Sequence, residues 1–311
     1  MNTNTLGTYL NPFTDFGFKK LFGSEESKPF LMSFLNDLLP IDAPIVSLEF
    51  KNIEKLGMVE EDRKAIYDVY CQDEQGNQFI VELQRAKQSH FQDRAMYYSS
   101  FLIQEQAKKG RWDFELTPIY FVGILDFSLP SFDDEPYLHF GQITDIYTKK
   151  VMTQKLNFIY IEMDKFKKVE SELANHLECW LYFLKKLATF EAIPAKFEND
   201  IIADAFDVAR LSNMSHKSRV DYENSLKHYR DFINVLDTAK QEGFDHGFEQ
   251  GKEQGFDRGI EQGVERGINQ GEKNKAIKIA INLLKKQTPI ELVLEITELT
   301  AQEIKQLQEG L

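Results

Sequence analysis

Cysteine is nearly missing from this chain. There are two, Cys71 and Cys179, among 311 residues. Two thiols make neither a disulfide framework nor a cysteine-rich zinc site, and the scarcity fits a reducing, cytoplasmic setting. No run of about 18 apolar residues occurs, so a membrane span is not expected. The opening MNTNTLGTYLNPF has neither a basic stretch nor an apolar one, so secretion is not expected either. Positive charge is also short. Thirty-seven Lys and Arg face 50 Asp and Glu, a net charge of −13. That excludes a generally basic protein that coats nucleic acid, but it leaves room for a local basic groove. What is abundant is aromatic: 25 Phe and 12 Tyr. Such a chain must bury a core, so wholesale disorder is excluded.

Periodicity sketches an α/β or α+β domain over about residues 10–235. Residues 13–40 read as helical, with Phe30, Leu31, Phe34, Leu35 and Leu38 at helical spacing and Pro40 as the stop. A weakly alternating stretch at 45–56 is a candidate strand. Two β-rich runs, Lys64 to Asp73 and Gln78 to Arg85, flank the turn signal Glu74-Gln75-Gly76-Asn77 and predict a hairpin. A helix from about Ser89 to Lys109 follows. The run Thr117 to Phe127 reads as a strand buried on both faces. Further strands are expected near 138–147 and 156–161, and further helices at 169–190 and 198–211. His139 and His176 have no spacing partner, which favours structural roles.

Polar residues inside buried-looking strands are the informative ones. A three-residue loop with Gly76 in the left-handed conformation pairs Asp73 with Asn77, and therefore sets Asp68 opposite Glu82. Directly opposed carboxylates repel unless a cation sits between them. Mg²⁺, which takes one or two carboxylates plus waters and phosphate oxygens, suits that position. The plainer alternative is the solvent face of an edge hairpin. Strand parity sets Arg85 and Lys87 on the face opposite Gln84.

Several segments, in order, resemble the recombination-promoting nuclease (Rpn), transposase-like, branch of the PD-(D/E)XK nucleases. They are NPFTDFGFKKLFG at 11–23, LMSFLNDLL at 31–39, AIYDVYCQDEQGNQFIVELQ at 65–84, FQDRAMYYSSFLIQEQAKKG at 91–110, PIYFVGILDF at 118–127 and LNFIYIEMDKF at 156–166. The resemblance covers most of residues 10–240. It implies a restriction-endonuclease-like α/β core, with a central mixed sheet flanked by helices, acting as a metal-dependent DNA endonuclease. Carried over by position, Asp68 and Glu82 are the metal-binding acids, with Mg²⁺ or another divalent cation as cofactor. Gln84 stands where the superfamily's usual lysine stands, so it can orient a water but supplies no charge. Asp15 is a further candidate acid on the first helix; a plain first-turn acid is the other reading. On the helix after the hairpin, Arg94 and Tyr98 share a face at i, i+4. Together with Lys64 they are candidate DNA contacts. The competing functions are a catalytically weak or inactive DNA-binding and interaction protein with the same fold, and a transposase proper.

The last quarter changes character. Glycine recurs every four residues from Gly243 to Gly271, and Phe244, Phe248, Phe256, Ile260, Val264 and Ile268 each follow one. A period of four is helical. A long helix over 236–286 that self-associates into a homo-oligomer is expected, continuous from about Asp237 to Lys285. A short helical module is expected at 287–311, with a capping box at Thr300 and Glu303.

Overall fold

The structure is a computed structural model that describes residues 7–55, 65–88, 90–107, 110–132 and 135–310. The chain divides into two compact units near Phe232.

In the first unit, α1 (Asp15–Phe22) starts where the Thr14 hydroxyl accepts from the Gly17 amide at 3.0 Å. It ends at Gly23, and α2 (Lys28–Leu38) follows. The single helical region expected over 13–40 is therefore two helices. Ser24 and Ser27 cap one another across the break, and this local alternative competes with helix continuation. Next come β1 (Leu48–Phe50), β2 (Glu54–Lys55), β3 (Ala65–Ile66), β4 (Val69–Asp73) and β5 (Gln78–Gln84). The helix after the hairpin is α3 (Phe91–Glu105), shorter at both ends than its pattern suggested. Then follow β6 (Ile119–Leu125), β7 (Leu138–Thr144), β8 (Val151–Glu162), α4 (His176–Lys186) and α5 (Ile201–Ala209).

The main sheet has the order β1-β4-β5-β6-β8-β7. Its centre, β5-β6-β8, is parallel, and the outer pairs are antiparallel. β2 and β3 pair separately. The parallel step from β5 to β6 needs a crossover, and α3 provides it.

One face of the sheet packs on α1, α2, α4 and α5 through Val81, Val122, Ile124 and Ile159. Trp180 is fully buried in this layer, with ring centroids 6.0 Å from Phe22, 6.5 Å from Phe34 and 5.7 Å from Phe183. The other face packs on α3 through Ile80, Phe121 and Tyr160. A strand buried on both faces reads as a continuous apolar run, which is why β6 was recognisable from its residues.

Helix α6 (His216–Lys285) starts well before Gly243, the first glycine of the repeat, and earlier than the expected start near Asp237. Its first turns belong to the first unit. Tyr222 is buried, its hydroxyl accepting from the Asn11 amide at 2.9 Å, and Ser225 Oγ accepts from the Phe16 amide at 3.1 Å. In the second unit the C-terminal part of α6 packs on α7 (Ile290–Thr297) and α8 (Ala301–Glu309) around Ala280, Val293, Leu299 and Ile304. Thr300 and Glu303 form the expected capping box. Among the described residues no helix is long and apolar enough to cross a membrane.

His176 staples three helices. Its Nδ1 meets Asp37 of α2 at 2.5 Å, and its Nε2 meets Asp200, the N-cap of α5, at 2.9 Å. Burial works against the charged imidazole, but the two carboxylates outweigh it and raise its pKa. The folded state therefore binds the His176 proton more tightly than the unfolded state does. This contribution is complete below about pH 6.5 and is lost as pH rises through the raised folded value. Urea unfolding between pH 6 and 9 is expected to show that decline in the wild type and a flatter profile in His176→Gln. Parallel profiles would deny the staple its charge.

Candidate active site

The hairpin turn fixes the register. Asp73 Oδ1 accepts from the amides of Gln75 at 3.0 Å and Asn77 at 2.8 Å, and Gly76 takes φ +86°, which favours glycine. β4 and β5 then pair Val69 with Val81 and Cys71 with Phe79. Extended by one residue, this register sets Asp68 opposite Glu82.

Asp68 is not on a strand. The first hairpin arm, read from sequence as one run, is interrupted between β3 and β4. Tyr67 and Tyr70 both fall on the α3 side of the sheet, with ring centroids 5.6 Å apart, although they are three positions apart in sequence. A regular strand places such residues on opposite faces, so the chain bends at Asp68. The bend frees the Asp68 amide from the ladder. That amide donates to Glu82 Oε1 at 3.2 Å, and the Leu83 amide donates to Asp68 Oδ2 at 2.8 Å. Each acid thus holds the backbone of the other's segment.

Glu82 is buried, 2% exposed. Burial pushes its carboxyl up, the Asp68 charge pushes it further, and Arg94 offsets part of the rise. Burial raises Asp68 as well; the Leu83 amide and the charges of Lys19 and Arg85 oppose this, and Asp15 adds to it. Among the described residues Asp68 Oδ1 accepts no hydrogen bond.

Arg94 lies across the pair's open side. It donates to Glu82 Oε2 at 3.2 Å, to Gln84 Oε1 at 3.2 Å and to Gln88 Oε1 at 3.1 Å, and its guanidinium sits 4.8 Å from the Tyr98 ring centroid. The other end of Gln84 donates to the Ala86 carbonyl at 3.2 Å. The closeness of α3 explains why Arg94 reaches so far. Gly123 on β6 pairs with Glu82. A Cβ at Gly123 would meet Phe91 at 3.1 Å, so glycine lets the first turn of α3 close onto the sheet beside the acids.

Asp68, Glu82, Gln84 and Arg94 line a pocket of about 350 Å³, with His228 and Phe232 of α6 on its wall. Arg85 lines it too, contrary to strand parity, because β5 ends at Gln84 and parity no longer applies; its guanidinium lies 6.0 Å from the Tyr229 ring. His228 and Phe232 carried no sequence signal. They precede the repeat in an exposed, charged stretch that has no motif.

Of the other candidates, Asp15 is a first-turn acid paired with Lys19 at 2.9 Å; it acts on Asp68 through its charge and does not line the pocket. Tyr98 is half-buried, its carbonyl accepting from the Tyr67 hydroxyl at 3.1 Å. Arg94, a candidate DNA contact, donates to Glu82 and Gln84. Lys64 lies outside the described residues. His139 meets buried Glu162 at 3.3 Å, a structural pairing away from this pocket.

Two carboxylates facing an open, partly polar pocket are a donor set that fits one hard divalent cation, the remaining positions being left to water and substrate. Among the described residues no cluster of three or more His, Cys, Asp or Glu forms a closed metal cage.

A family model described as PD-(D/E)XK nuclease family transposase matches residues 12–239. The chain belongs to that family. No curated protein and no solved structure matches it. The six-stranded mixed sheet flanked by helices is consistent with the PD-(D/E)XK fold. The match ends at residue 239, so it takes in the start of α6 that reaches the pocket and stops before the glycine repeat.

The raised carboxyls of this PD-(D/E)XK site have a thermodynamic consequence. A carboxyl whose folded pKa exceeds its unfolded one stabilises the fold most below about pH 4, and that contribution disappears as pH rises through the folded value. In chelator, stability is expected to fall from pH 5 to 8. Asp68→Asn should flatten the decline and gain about 1 kcal/mol at pH 8. Equal pH slopes in urea titrations of the two proteins would show that the acids are not coupled.

Proposed function

We propose that this chain is a divalent-metal-dependent DNA endonuclease. The observation that carries the proposal is the Asp68–Glu82 pair, in which each carboxylate binds the other segment's backbone at the mouth of a pocket in a PD-(D/E)XK family domain. Asp68 and Glu82 would hold Mg²⁺ or another divalent cation. A bound Mg²⁺ supplies a water of lowered pKa and a counter-charge for the phosphate. Gln84, held by Arg94 and the Ala86 carbonyl, orients the attacking water; a neutral amide carries no proton away at neutral pH. Arg94 sets Gln84 and offsets the Glu82 charge. Arg85 and His228 border the same pocket and face the incoming phosphodiester.

The Gln84 substitution favours a second reading, a DNA-binding protein with little cleavage. Transposition proper would add strand joining to cleavage. Incubation of the full chain with supercoiled plasmid and Mg²⁺, with and without chelator, separates the readings. Nicked or linear product is expected only with free metal. Asp68→Ala and Glu82→Ala should each lower the rate more than about a thousandfold. Gln84→Ala should lower it by about ten- to a hundredfold while leaving metal affinity nearly unchanged. Retained cleavage in both acid variants excludes this site, and joined donor products support a transposase.

We also propose that the glycine repeat mediates self-association. A Cβ at any of the eight glycines from Gly243 to Gly271 meets nothing within 4 Å, so nothing among the described residues requires glycine there. Each costs about 1 kcal/mol of helix stability relative to alanine. Close backbone approach between copies would offset that cost. Replacing Gly255, Gly259 and Gly263 by alanine should therefore raise helicity in circular dichroism while weakening assembly in light scattering. If the triple variant assembles as well as the wild type, the glycines are not at the interface.

A further inference from the structure

The glycine repeat is one of four parallel rows on the helix surface. Over 243–271 the sequence runs as glycine, then a mostly apolar residue, then an acid (Asn269 in the last repeat), then Gln, Arg or His. The apolar row holds Phe244, Phe248, Lys252, Phe256, Ile260, Val264 and Ile268. Its six apolar members are each at least half exposed, an unpartnered face too long to be incidental. Four residues turn an α-helix through about 400°, so the row winds right-handed by about 40° per repeat. A partner that follows it must wind the same way, as in the packing of i±4 ridges.

The row identifies both partner and direction. It is centred on Phe256. Lys252 is its one charged member. Two copies in parallel register would set Lys252 against Lys252 in the middle of the contact, where like charges repel. They would also set Phe against Phe at three positions and leave Ile and Val to meet only one another. An antiparallel pair with its two-fold axis at Phe256 brings Phe244 to Ile268, Phe248 to Val264 and Lys252 to Ile260. The stem of Lys252 then lies on an apolar neighbour while its ammonium reaches the acid next in sequence, Glu261 of the second copy.

Charge agrees. From Asp237 to Gly255 five acids outnumber two bases, a net −3; in the facing stretch, from Asp257 to Lys275, four acids balance four bases. Parallel pairing stacks the two acidic stretches on each other, and antiparallel pairing sets each against a neutral one.

We propose that residues 237–275 pair with the same segment of a second copy, antiparallel and right-handed, with the two-fold axis at Phe256. This rests on the self-association proposed above and adds its direction and register.

Single-cysteine variants of the full chain test it. The native Cys71 and Cys179 are buried and remain in place. Phe248→Cys and Val264→Cys proteins, one isotopically labelled, are mixed and mildly oxidised, and the disulfides are assigned by mass spectrometry. The mixed disulfide is expected to form at least tenfold faster than either homodisulfide. Phe244→Cys with Ile268→Cys repeats the test at a second pair of the row. Homodisulfides of Phe248→Cys forming as fast as the mixed species would overturn the antiparallel direction and leave self-association standing. Dimers in sedimentation without either mixed disulfide would overturn the register. A monomer at every concentration would overturn both.

Discussion

Two like charges held side by side inside a protein cost free energy, and much of the PD-(D/E)XK domain is arranged so that Asp68 and Glu82 are held there regardless. Burial and mutual repulsion both favour their protonated forms. The opposing force is geometric. The Asp73–Asn77 turn fixes the register, the bend at Asp68 releases an amide to Glu82, and the Leu83 amide answers to Asp68. Breaking either bond would free one acid to turn toward water. The reciprocal pair keeps both at the pocket, where a cation would lower the free energy of the arrangement.

Arg94 is the second consequence of that constraint. An ionised Glu82 that is 2% exposed needs a positive partner, since an unpaired buried charge is costly. The guanidinium provides one and orients Gln84 through the same group. Its placement depends in turn on Gly123 and Phe91, because α3 must lie close to β5 for the side chain to span the gap. One missing methyl on β6 is thus linked, through the seat of a helix, to the electrostatics of the site.

The central elements were legible in the sequence because their signals are local. Turn chemistry around Gly76 yields the hairpin register, and an apolar run marks β6 as a doubly buried strand. Arg94 and Tyr98 were singled out by helical spacing. What escaped depends on tertiary context. The bend at Asp68 leaves the β-rich composition of 64–73 unchanged, so a pattern that counts residue types cannot register it. The exchange of hydrogen bonds between Ser24 and Ser27, which ends one helix and begins another, leaves no mark on the helical spacing. Parity set Arg85 on the far face, but the strand ends at Gln84 and Arg85 joins the pocket. His228 and Phe232 reach the pocket only because Tyr222 and Ser225 dock α6 on the N-terminal segment, a contact across about 210 residues of sequence.

Proton release on metal binding tests the central claim most directly. If Asp68 and Glu82 share a site whose carboxyls are raised by burial and by each other, a divalent cation must displace a proton from the pair near neutral pH. Calorimetric titration of Mn²⁺ or Mg²⁺ into the full chain at pH 7, in buffers of differing ionisation enthalpy, measures that proton. A substantial fraction of one proton per bound metal, disappearing in Asp68→Asn, is the expected result. Metal binding with no proton released, or release unchanged by Asp68→Asn, would contradict it.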